Sequence, residues 1–395
     1  MRKKVLILAH YCGDLDGRLS NRFVHLASLL ANYNDVELVT SNFYHTKKCR
    51  KEVTGEYPFR ITLSNEPPYA SNIGFQRLVS HWRFSRNVKD YIESTEGVPS
   101  LIYASFPSIS LARIAADYSV KNSIPLIIDV QDLWPEAFKK QLSRFRLNKL
   151  IYNFLERRTS AIFNCTSLLV SVSNSFVQDL SLRATIKSSN VTYIGAKWDS
   201  KPNTNRVGLN HNLPFKIVYL GSLGDSYDLE MLIDAFFDAK NQIQHNLQLI
   251  IIGDGEKRAN LEAHALSMGS GVSFTGLIPH QQVQQILPTM DIAVNPIVPW
   301  SVASIINKHA DYAMAGLPVI NTQKSLEYRE LIQNYNCGIN INHAKFELAE
   351  AIIKLSVADD LRQKMSLNAF RLAHDKFDRL QTYPALVEQI ESYLE

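Results

Sequence analysis

The chain has 395 residues, which is enough for two or three domains, and its composition of 46% hydrophobic and 20% charged residues is that of an ordinary globular protein. A net charge of +4 is too small to indicate nucleic-acid binding across the whole surface. The four cysteines are far apart and form no CxxC pair. This argues against a disulfide framework and a zinc site, and it favours a reducing cytoplasm.

The first residues imitate a signal peptide, because the basic lead MRKK precedes an apolar run, Val5–Ala9. That run is too short for the hydrophobic region of a signal peptide and predicts a buried first strand. No stretch approaches the roughly 18 apolar residues of a membrane-spanning helix. These features predict a cytoplasmic protein.

The first half alternates short apolar strands with amphipathic helices, a pattern typical of a parallel, doubly wound sheet. Its predicted strands are Val5–Ala9, Val36–Thr40, Leu101–Ala104, Leu126–Val130, Leu168–Val172 and Val191–Ile194. Its predicted helices cover about Ser20–Leu30, Phe75–Glu93, Ser110–Lys121 and Lys149–Phe163.

The second half repeats this alternation from Ile217 onward, after a polar stretch with little periodicity. We therefore predict an N-terminal Rossmann-like domain over 1–200, a linker over 201–214 and a C-terminal Rossmann-like domain over 215–375. A last amphipathic helix falls within 376–395, and a return to the first domain is one path open to it.

The stretch NKHADYAMAGLPVIN, which begins at Asn307, predicts a short helix followed by a strand. Gly316 and Pro318 are typical helix stop signals. Lys308 and Asp311 are three residues apart and lie on one face of the first turn, where a cation can meet a phosphate and a carboxylate can accept ribose hydroxyls. The alternative is an ordinary Lys–Asp pair on the helix surface.

Glycine turns directly follow three predicted strands of the second half. They are Gly221-Ser222, Gly253-Asp254-Gly255 and Gly276-Leu277. In an open parallel sheet, ligands bind beyond the carboxyl ends of the strands, and glycine lets backbone N–H groups approach a phosphate. Neither a P-loop nor GxGxxG is present, so each turn is also explained as a tight strand-to-helix connection.

The first half offers candidate residues on the equivalent edge of its own sheet. Asp132, beside Trp134, follows a strand and is a candidate base or sugar-hydroxyl acceptor, with a helix N-cap as the alternative. Gly17, Asn21 and Arg22 follow the first strand, and Arg22 is equally explained as a solvated helix residue.

Basic and aromatic residues are interleaved over Lys139–Arg158 and again over Arg77–Lys89. Such segments bind anionic membrane surfaces peripherally, although solvated basic helices look the same. No RNA-binding motif accompanies them. The histidines form neither HxxxH nor HExxH, so no metal site is indicated.

Five stretches of the second half carry a family resemblance when taken in order: IVYLGSLGDSYDLEMLIDAF, LIIIGDGEKRANLE, VSFTGLIPHQQV, MDIAVNPI and NKHADYAMAGLPVIN. In the first half, VQDLWPEAF, NFLERR, LLVSVSNSF and VTYIGAKWD match more loosely. Together they resemble glycosyltransferase family 4, and within it the branch that builds bacterial capsule, exopolysaccharide and O-antigen repeat units. The resemblance implies an α/β GT-B fold of two Rossmann-like doubly wound parallel-sheet domains facing across a cleft.

The resemblance also implies a nucleotide-sugar donor site in the second half. The donor-site residues that it implies are Gly17, Gly221, Ser222, Gly253, Asp254, Gly255, Gly276, Leu277, Ser304, Asn307, Lys308 and Asp311. Lys308 and Asp132 are the expected catalytic residues, and Asn21, Arg22 and Trp134 lie on the expected acceptor side.

Two departures from the family pattern concern charged residues. Ala303 stands where the family commonly has a glutamate, so Ser304 and Asn307 are candidates to replace its contact with the donor sugar. The family's lysine after the first glycine turn is missing from Asp225–Tyr227, so more of the phosphate charge is expected to rest on Lys308.

The implied function is a retaining, metal-independent glycosyltransferase without a cofactor, with a UDP-sugar as the favoured donor. The expected acceptor is a polyprenyl-pyrophosphate-linked sugar at the inner face of the cytoplasmic membrane, and nucleic acid is not an expected partner. Two alternatives remain: a UDP-sugar 2-epimerase of the same fold, and a non-catalytic nucleotide-sugar-binding partner of a glycan-assembly complex.

Overall fold

The computed structural model describes residues 2–16, 21–70, 74–134, 148–198, 214–244, 246–301 and 304–395. The chain forms two compact units. The N-terminal unit comprises Met1–Tyr193 and Tyr383–Glu395, and the C-terminal unit comprises Ile194–Thr382. Most of the predicted linker, residues 201–213, lies outside the described residues.

The N-terminal unit is built on a seven-stranded parallel sheet. Its strands are β1 (Lys4–Ala9), β2 (Asp35–Ser41), β5 (Arg60–Ser64), β6 (Leu101–Phe106), β7 (Leu126–Val130), β8 (Leu168–Ser171) and β9 (Ser189–Val191), in the order β5-β2-β1-β6-β7-β8-β9. A small antiparallel pair, β3 (Phe43–Tyr44) and β4 (Cys49–Arg50), follows β2. The central strands are buried almost throughout, as expected for a parallel sheet covered on both faces.

The helices of the N-terminal unit are α1 (Arg22–Leu30), α2 (Phe75–Ser94), α3 (Ile109–Asn122), α4 (Asn148–Asn164) and α5 (Asn174–Ser181). In α1, Phe23, Leu26, Ala27 and Leu30 recur at helical spacing and are buried in the core of this unit. The final helix of the chain, Arg379–Glu391, adds Tyr383, Leu386 and Ile390 to the same core.

The C-terminal unit contains a six-stranded parallel sheet and eight helices among its described residues. The strands are β10 (Phe215–Leu220), β11 (Leu247–Ile252), β12 (Val272–Gly276), β13 (Ile292–Asn295), β14 (Val319–Asn321) and β15 (Gly338–Asn340), in the order β12-β11-β10-β13-β14-β15. The helices are α6 (Leu229–Lys240), α7 (Arg258–Met268), α8 (His280–Ile286), α9 (Asn307–Met314), α10 (Leu326–Tyr335), α11 (Lys345–Val357), α12 (Asp359–Leu372) and the first turn of α13 (Arg379–Glu391).

The predicted alternation of strands and helices is confirmed in both units, and the differences have simple causes. Strand β5 was missed because Arg60–Ser64 is only half-buried and carries polar residues at the sheet edge. Helices α5 and α10 were missed because few of their residues are apolar and buried. No helix described here has both the length and the apolar character needed to cross a membrane.

Candidate functional site

The C-terminal sheet has one topological switch point. Strand β10 lies between β11 and β13, so the chain winds away from β10 in both directions. Ligands of open α/β sheets bind in the crevice outside the carboxyl ends of the strands at such a point. Gly221 directly follows β10 and Gly253 directly follows β11, so both predicted turns lie at this edge.

The predicted glycine turns contact one another. The Gly221 N–H donates to the Ile252 carbonyl over 2.9 Å, and the Gly253 N–H donates to the Gly276 carbonyl over 3.1 Å. Gly253 has a φ of 142°, and a Cβ atom there would lie 1.9 Å from the Gly221 carbonyl oxygen. Only glycine fits at this position, so the close packing of the turns accounts for at least part of the glycine pattern.

Lys308 lies against the first of these turns. It is on α9 and its side chain is buried, although lysine is almost never fully buried unless it is paired. A Cβ atom on Gly221 would lie 2.8 Å from the Lys308 Nζ. The ammonium therefore lies in the space that the missing glycine side chain leaves open, and their shared phosphate site stays a prediction.

The surroundings of the Lys308 ammonium are aromatic. Its Nζ is 4.1 Å from the centroid of the Tyr219 ring and 3.7 Å from that of Tyr227. Among the described residues it has no hydrogen-bond partner. Burial holds the pKa of Lys308 well below its ordinary value, because the protein does not replace the lost water. An anion beside this group would restore the missing interactions.

Asp311 lies on the same helix and is also buried. Its Oδ1 is 2.9 Å from the Nε2 of His280, at the start of α8. The His280 side chain is 48% exposed, whereas that of Asp311 is 9% exposed. The carboxylate is therefore held by a histidine on the solvent side, an arrangement that the spacing of Lys308 and Asp311 did not indicate.

The remaining candidates of this unit have varied surroundings. Leu277 is 81% exposed beside the Gly276 turn, and Asn307 is exposed at the first residue of α9. The Asp254 carboxylate accepts from the Gly255 N–H and from Arg258, and the carbonyl of the exposed Ser222 accepts from the Tyr219 hydroxyl.

Ser304 is buried, and its hydroxyl donates to the Glu327 carboxylate over 3.1 Å. Glu327 lies in the first turn of α10, a helix that the sequence pattern did not predict. A carboxylate is therefore in contact with Ser304, one of the two residues that we expected to replace the family's glutamate at position 303.

Residues that the sequence did not single out contact Lys308, Asp311 and the segment after the first glycine turn. Tyr219, Tyr227 and His280 belong to the quoted motifs, but nothing in their spacing indicated a role. Lys257 pairs with Asp225 over 2.9 Å, which brings a cation from the second glycine turn to the segment after the first.

In the N-terminal unit, the structure places Arg22 and Asn21 in structural roles. Asn21 caps α1, because its Oδ1 accepts from the Phe23 N–H over 2.8 Å. Arg22 is buried, and its Nε lies 3.0 Å from Oδ2 of the equally buried Asp129. Arg22 is therefore neither a solvated residue nor exposed for acceptor binding.

Two of the other first-half candidates follow β7, at the carboxyl edge of the N-terminal sheet. Asp132 is exposed after β7, and its Oδ1 accepts from the Leu133 N–H over 2.9 Å. Trp134 is half-buried, and the Arg77 Cζ lies 5.8 Å from its ring centroid. Gly17 lies outside the described residues.

A buried polar cluster lies at the switch point of the N-terminal sheet, between β1 and β6. The Nε2 of His10 is 3.0 Å from the Glu66 Oε2, and its Nδ1 is 3.1 Å from the Ser108 Oγ. Burial alone would raise the pKa of Glu66, but hydrogen bonds from His10 and Ser41 lower it to about 2. No local pattern indicates this contact, because His10 and Glu66 are 56 residues apart in the chain.

In the part of the chain that the structure describes, one group of three side chains could hold a metal ion: His10, Glu66 and His81, with ligand atoms within 4.8 Å of one another. However, Arg77 Nε donates to His81 Nε2 over 3.3 Å, and His10 is bonded to Glu66. The ring nitrogens and the carboxylate oxygen that would bind a metal are therefore already used in hydrogen bonds. The positive guanidinium of Arg77 would also repel a metal ion, so the geometry favours a hydrogen-bonded network over a metal site.

Comparisons with known proteins agree with this geometry. Residues 214–357, less than half of the chain, match the family model of Glycosyl transferases group 1. No curated protein matches the chain significantly by sequence.

Similar solved structures cover nearly the whole chain. HepE of Anabaena in complex with UDP is 16% identical, with a TM-score of 0.70, over 98% of this chain and 100% of that one. WaaG, a glycosyltransferase involved in lipopolysaccharide biosynthesis, is 18% identical, with a TM-score of 0.68, over 98% and 99% of the two chains. Sucrose-phosphate synthase of Thermosynechococcus elongatus is 13% identical, with a TM-score of 0.67, over 99% and 98%.

The chain therefore has the GT-B fold, with two Rossmann-like parallel-sheet domains, and the predicted fold class is confirmed. The family match falls on the unit that contains Lys308 and the glycine turns, and it supports glycosyl transfer. The narrower assignment to the capsule and O-antigen branch remains a prediction.

We predict that Lys308→Met stabilises the protein, by roughly 0.5–2 kcal/mol, because it removes a buried charge to which the described residues offer no hydrogen bond. A lysine whose pKa is lowered by folding makes the folded state less stable. This loss of stability is complete at pH values below the pKa of the folded state, and it disappears as the pH rises above the ordinary pKa of 10.5. Thermal unfolding should thus show a gain near neutral pH that shrinks towards alkaline pH. Lys354→Met, at an exposed position of α11, is the control, and an equal gain there would contradict the argument.

Proposed function

We propose that the protein is a retaining glycosyltransferase that moves a sugar from a UDP-sugar to a sugar acceptor. The observation that carries the proposal is the buried Lys308 ammonium beside the Gly221 turn, at the switch point of the C-terminal sheet. The two phosphates of a nucleoside diphosphate would give the buried ammonium an anionic partner. The UDP and UDP-glucose complexes of the similar HepE structures support this class of donor.

Lys308 has a direct role in this chemistry. When the bond between the anomeric carbon and the diphosphate oxygen breaks, negative charge develops on the leaving diphosphate. Lys308 and the N–H groups at the start of α9 stabilise that charge in a site with little water, where such interactions are strong. The burial that makes Lys308 costly in the free protein is what makes it effective in the transition state.

The acceptor hydroxyl must lose a proton as it attacks the anomeric carbon. Asp132 is the residue proposed to orient this hydroxyl and to accept its proton, because its exposed carboxylate follows a strand of the N-terminal sheet. Asp311 is the proposed acceptor of the ribose hydroxyls, with His280 holding its Oδ1 so that Oδ2 faces the nucleotide. Leu277 offers an exposed apolar surface for the base.

A second candidate is a UDP-sugar 2-epimerase of the same fold, which needs acids and histidines to move protons. The cluster of His10, Glu66 and His81 supplies residues of these types. Their burial and mutual hydrogen bonds argue against proton transfer to a sugar, so transfer is the better supported function.

The acceptor is proposed to be a polyprenyl-pyrophosphate-linked sugar, with the enzyme docked on the inner membrane surface. The exposed side of α2 supports this, because Phe75, Leu78 and Trp82 recur at helical spacing and are 79%, 66% and 55% exposed. The Arg86 Cζ lies 5.7 Å from the Trp82 ring centroid. Much of the other basic stretch, Lys139–Arg158, lies outside the described residues, including Lys139, Lys140, Arg144 and Arg146.

The proposed function is tested by a panel of nucleotides and nucleotide sugars, first for binding and then for turnover. A ligand that binds only the native state raises stability by about 2.7 kcal/mol at a hundredfold excess over its Kd. UDP and at least one UDP-sugar should stabilise the wild type, and Lys308→Met should abolish this effect. A glycosyltransferase should then release UDP from the UDP-sugar at a rate that depends on an added acceptor.

The same panel separates the alternatives. An epimerase interconverts a UDP-sugar without an acceptor, and a non-catalytic partner binds without turnover. If no nucleoside diphosphate binds, the proposed nucleotide-sugar donor is wrong and the proposed function is rejected.

For Asp311, we predict that Asp311→Asn weakens UDP binding and reduces the preference for ribo- over 2′-deoxynucleotides. A hydrogen bond to a charged group is worth about 1.5–3 kcal/mol, so roughly a tenfold loss or more is expected in calorimetry. Asp234→Asn is the matched control, because Asp234 forms a similar pair with His264 over 2.7 Å. An unchanged ribose preference in Asp311→Asn would make Asp311 structural.

For membrane docking, replacing Phe75, Leu78 and Trp82 together with Ser should reduce sedimentation with anionic vesicles and leave UDP binding intact. The wild type should bind at low salt and dissociate at high salt, because each surface Lys or Arg contributes about 1 kcal/mol that salt screens. A triple variant at the exposed Val120, Leu182 and Leu266 is the control. Equal losses in both triple variants would remove α2 from the proposed membrane surface.

A further inference from the structure

The first turn of α9 carries Lys308, but the residue before this helix has no polar side chain that could cap it. That residue is Ile306. The first N–H groups of a helix have no partner within the helix, and Ser, Thr, Asp or Asn at this position usually fixes the turn by accepting from one of them. The position of Lys308 therefore depends on other contacts that hold this turn.

His309, the third residue of α9, replaces the missing cap from inside the protein. It is fully buried, and its Nδ1 accepts from the Ile306 N–H over 3.3 Å, as a glutamine or glutamate does at this position of a capping box. Its ring stacks on Tyr328 of α10, with centroids 3.4 Å apart and an interplanar angle of 3°. Burial and the neighbouring Lys308 hold the pKa of His309 well below its ordinary value, so the ring is neutral. Since Nδ1 accepts, the proton is on Nε2.

The other side of the His309 ring contacts Gln323, which is buried just after β14. The Gln323 side chain hydrogen-bonds to His309, and its Nε2 donates to the Ser304 carbonyl over 2.5 Å. The Asn295 Nδ2 lies 3.2 Å from the Gln323 Oε1 and 3.3 Å from the His309 Nε2, so this ring nitrogen is on the Gln323 side. Gln323 thus holds the segment that enters α9 at two points, Ser304 and His309.

The next turn of α9 is fixed to the sheet independently, by Tyr312. The Leu220 N–H donates to the Tyr312 hydroxyl over 2.8 Å, and this hydroxyl donates to the Val294 carbonyl over 3.4 Å. Leu220 ends β10 and directly precedes Gly221. Tyr312 therefore fixes the middle of the helix beside the first glycine turn, and His309 and Gln323 fix its beginning.

We infer that His309 and Gln323 are positioning residues for the diphosphate of the donor. They hold the first turn of α9 so that the Lys308 ammonium and the N–H groups of this turn are placed where the phosphates bind. Neither side chain contacts the donor itself. The inference rests on the proposed function and adds to it two residues that act through α9.

A histidine suits this role better than an ordinary cap does. A serine or aspartate cap would accept from the N–H of Lys308 or His309 and would compete with a phosphate for it. His309 accepts instead from the Ile306 N–H, which precedes the helix. A glutamate in place of His309 would form the same bond but would place a negative charge beside the phosphates. The neutral imidazole fixes the turn without either disadvantage.

Two substitutions in the full chain separate the hydrogen bonds of His309 from its packing. His309→Phe keeps a ring that can stack on Tyr328 but removes both hydrogen bonds. His309→Gln loses the ring but keeps an acceptor for the Ile306 N–H and a donor for Gln323. We expect the Kd for UDP, measured by calorimetry, to rise about tenfold or more in His309→Phe, because contacts with charged phosphates are weakened. In His309→Gln it should stay within about threefold of the wild type.

Gln323→Met tests the network from its other end, because it replaces the amide with an apolar side chain of similar size. It should weaken UDP binding as His309→Phe does, and the double variant should lose little more, since the two residues act as a unit. Gln323→Met also decides the test if His309→Phe does not fold. Leu355→Ala, in the core of the same unit, is the control for a loss of stability alone. It should lower the melting temperature and leave UDP affinity nearly unchanged.

The outcomes separate this inference from the proposed function. If the wild type does not bind UDP, the proposed donor and this inference are both rejected. If the wild type binds UDP and the folded His309→Phe or Gln323→Met variant binds it equally well, the proposed function stands and the positioning role is wrong. An equal loss of affinity in His309→Gln and His309→Phe, or in Leu355→Ala, would also overturn the inference, because packing or stability would then explain the result.

Discussion

The proposed donor site depends on one electrostatic constraint: the Lys308 ammonium is buried away from water at the end of a parallel sheet. The free energy of removing Lys308 from water is opposed by the faces of Tyr219 and Tyr227, which attract a cation but donate and accept nothing. The surrounding backbone is arranged to leave space for it. Gly221 has no Cβ because Lys308 occupies that position, and Gly253 has none because the Gly221 carbonyl does. The glycines thus follow from the lysine as much as from any ligand.

The N-terminal unit shows two ways of placing an arginine near the same sheet. Arg22 is paired with Asp129, and the Tyr103 hydroxyl donates to the same carboxylate over 2.9 Å, but Arg22 Nη2 and Asp129 Oδ1 have no hydrogen-bond partner among the described residues. Breaking such a pair typically costs 3–5 kcal/mol, which makes it a poor binding group. Arg77, by contrast, contacts the Tyr11 hydroxyl, a ring nitrogen of His81 and the Trp134 ring.

The sequence was sufficient for features that depend on local pattern, and insufficient for those that depend on distant contacts. Apolar periodicity located most strands and helices, and the helix stop after Met314 agreed with Gly316 and Pro318. Lys308 and Gly221 were assigned to one site only through the family resemblance, and the two residues lie side by side in the structure. The aromatic walls of Tyr219 and Tyr227 did not follow, because a tyrosine at the end of a strand is just as often part of a core.

The failures on the acceptor side have a physical cause in chain separation. The spacing of Asn21 and Arg22 after the first strand suggested exposure, but Asp129 lies more than a hundred residues away and no local signal pairs it with Arg22. The same applies to His10 and Glu66, which meet because β1, β2 and β5 are adjacent in the sheet. Buried charges are positioned by topology, since each needs a partner that only the assembled sheet supplies. A sequence motif therefore locates a cation, but the cost of burying that cation shows whether it serves the fold or a ligand.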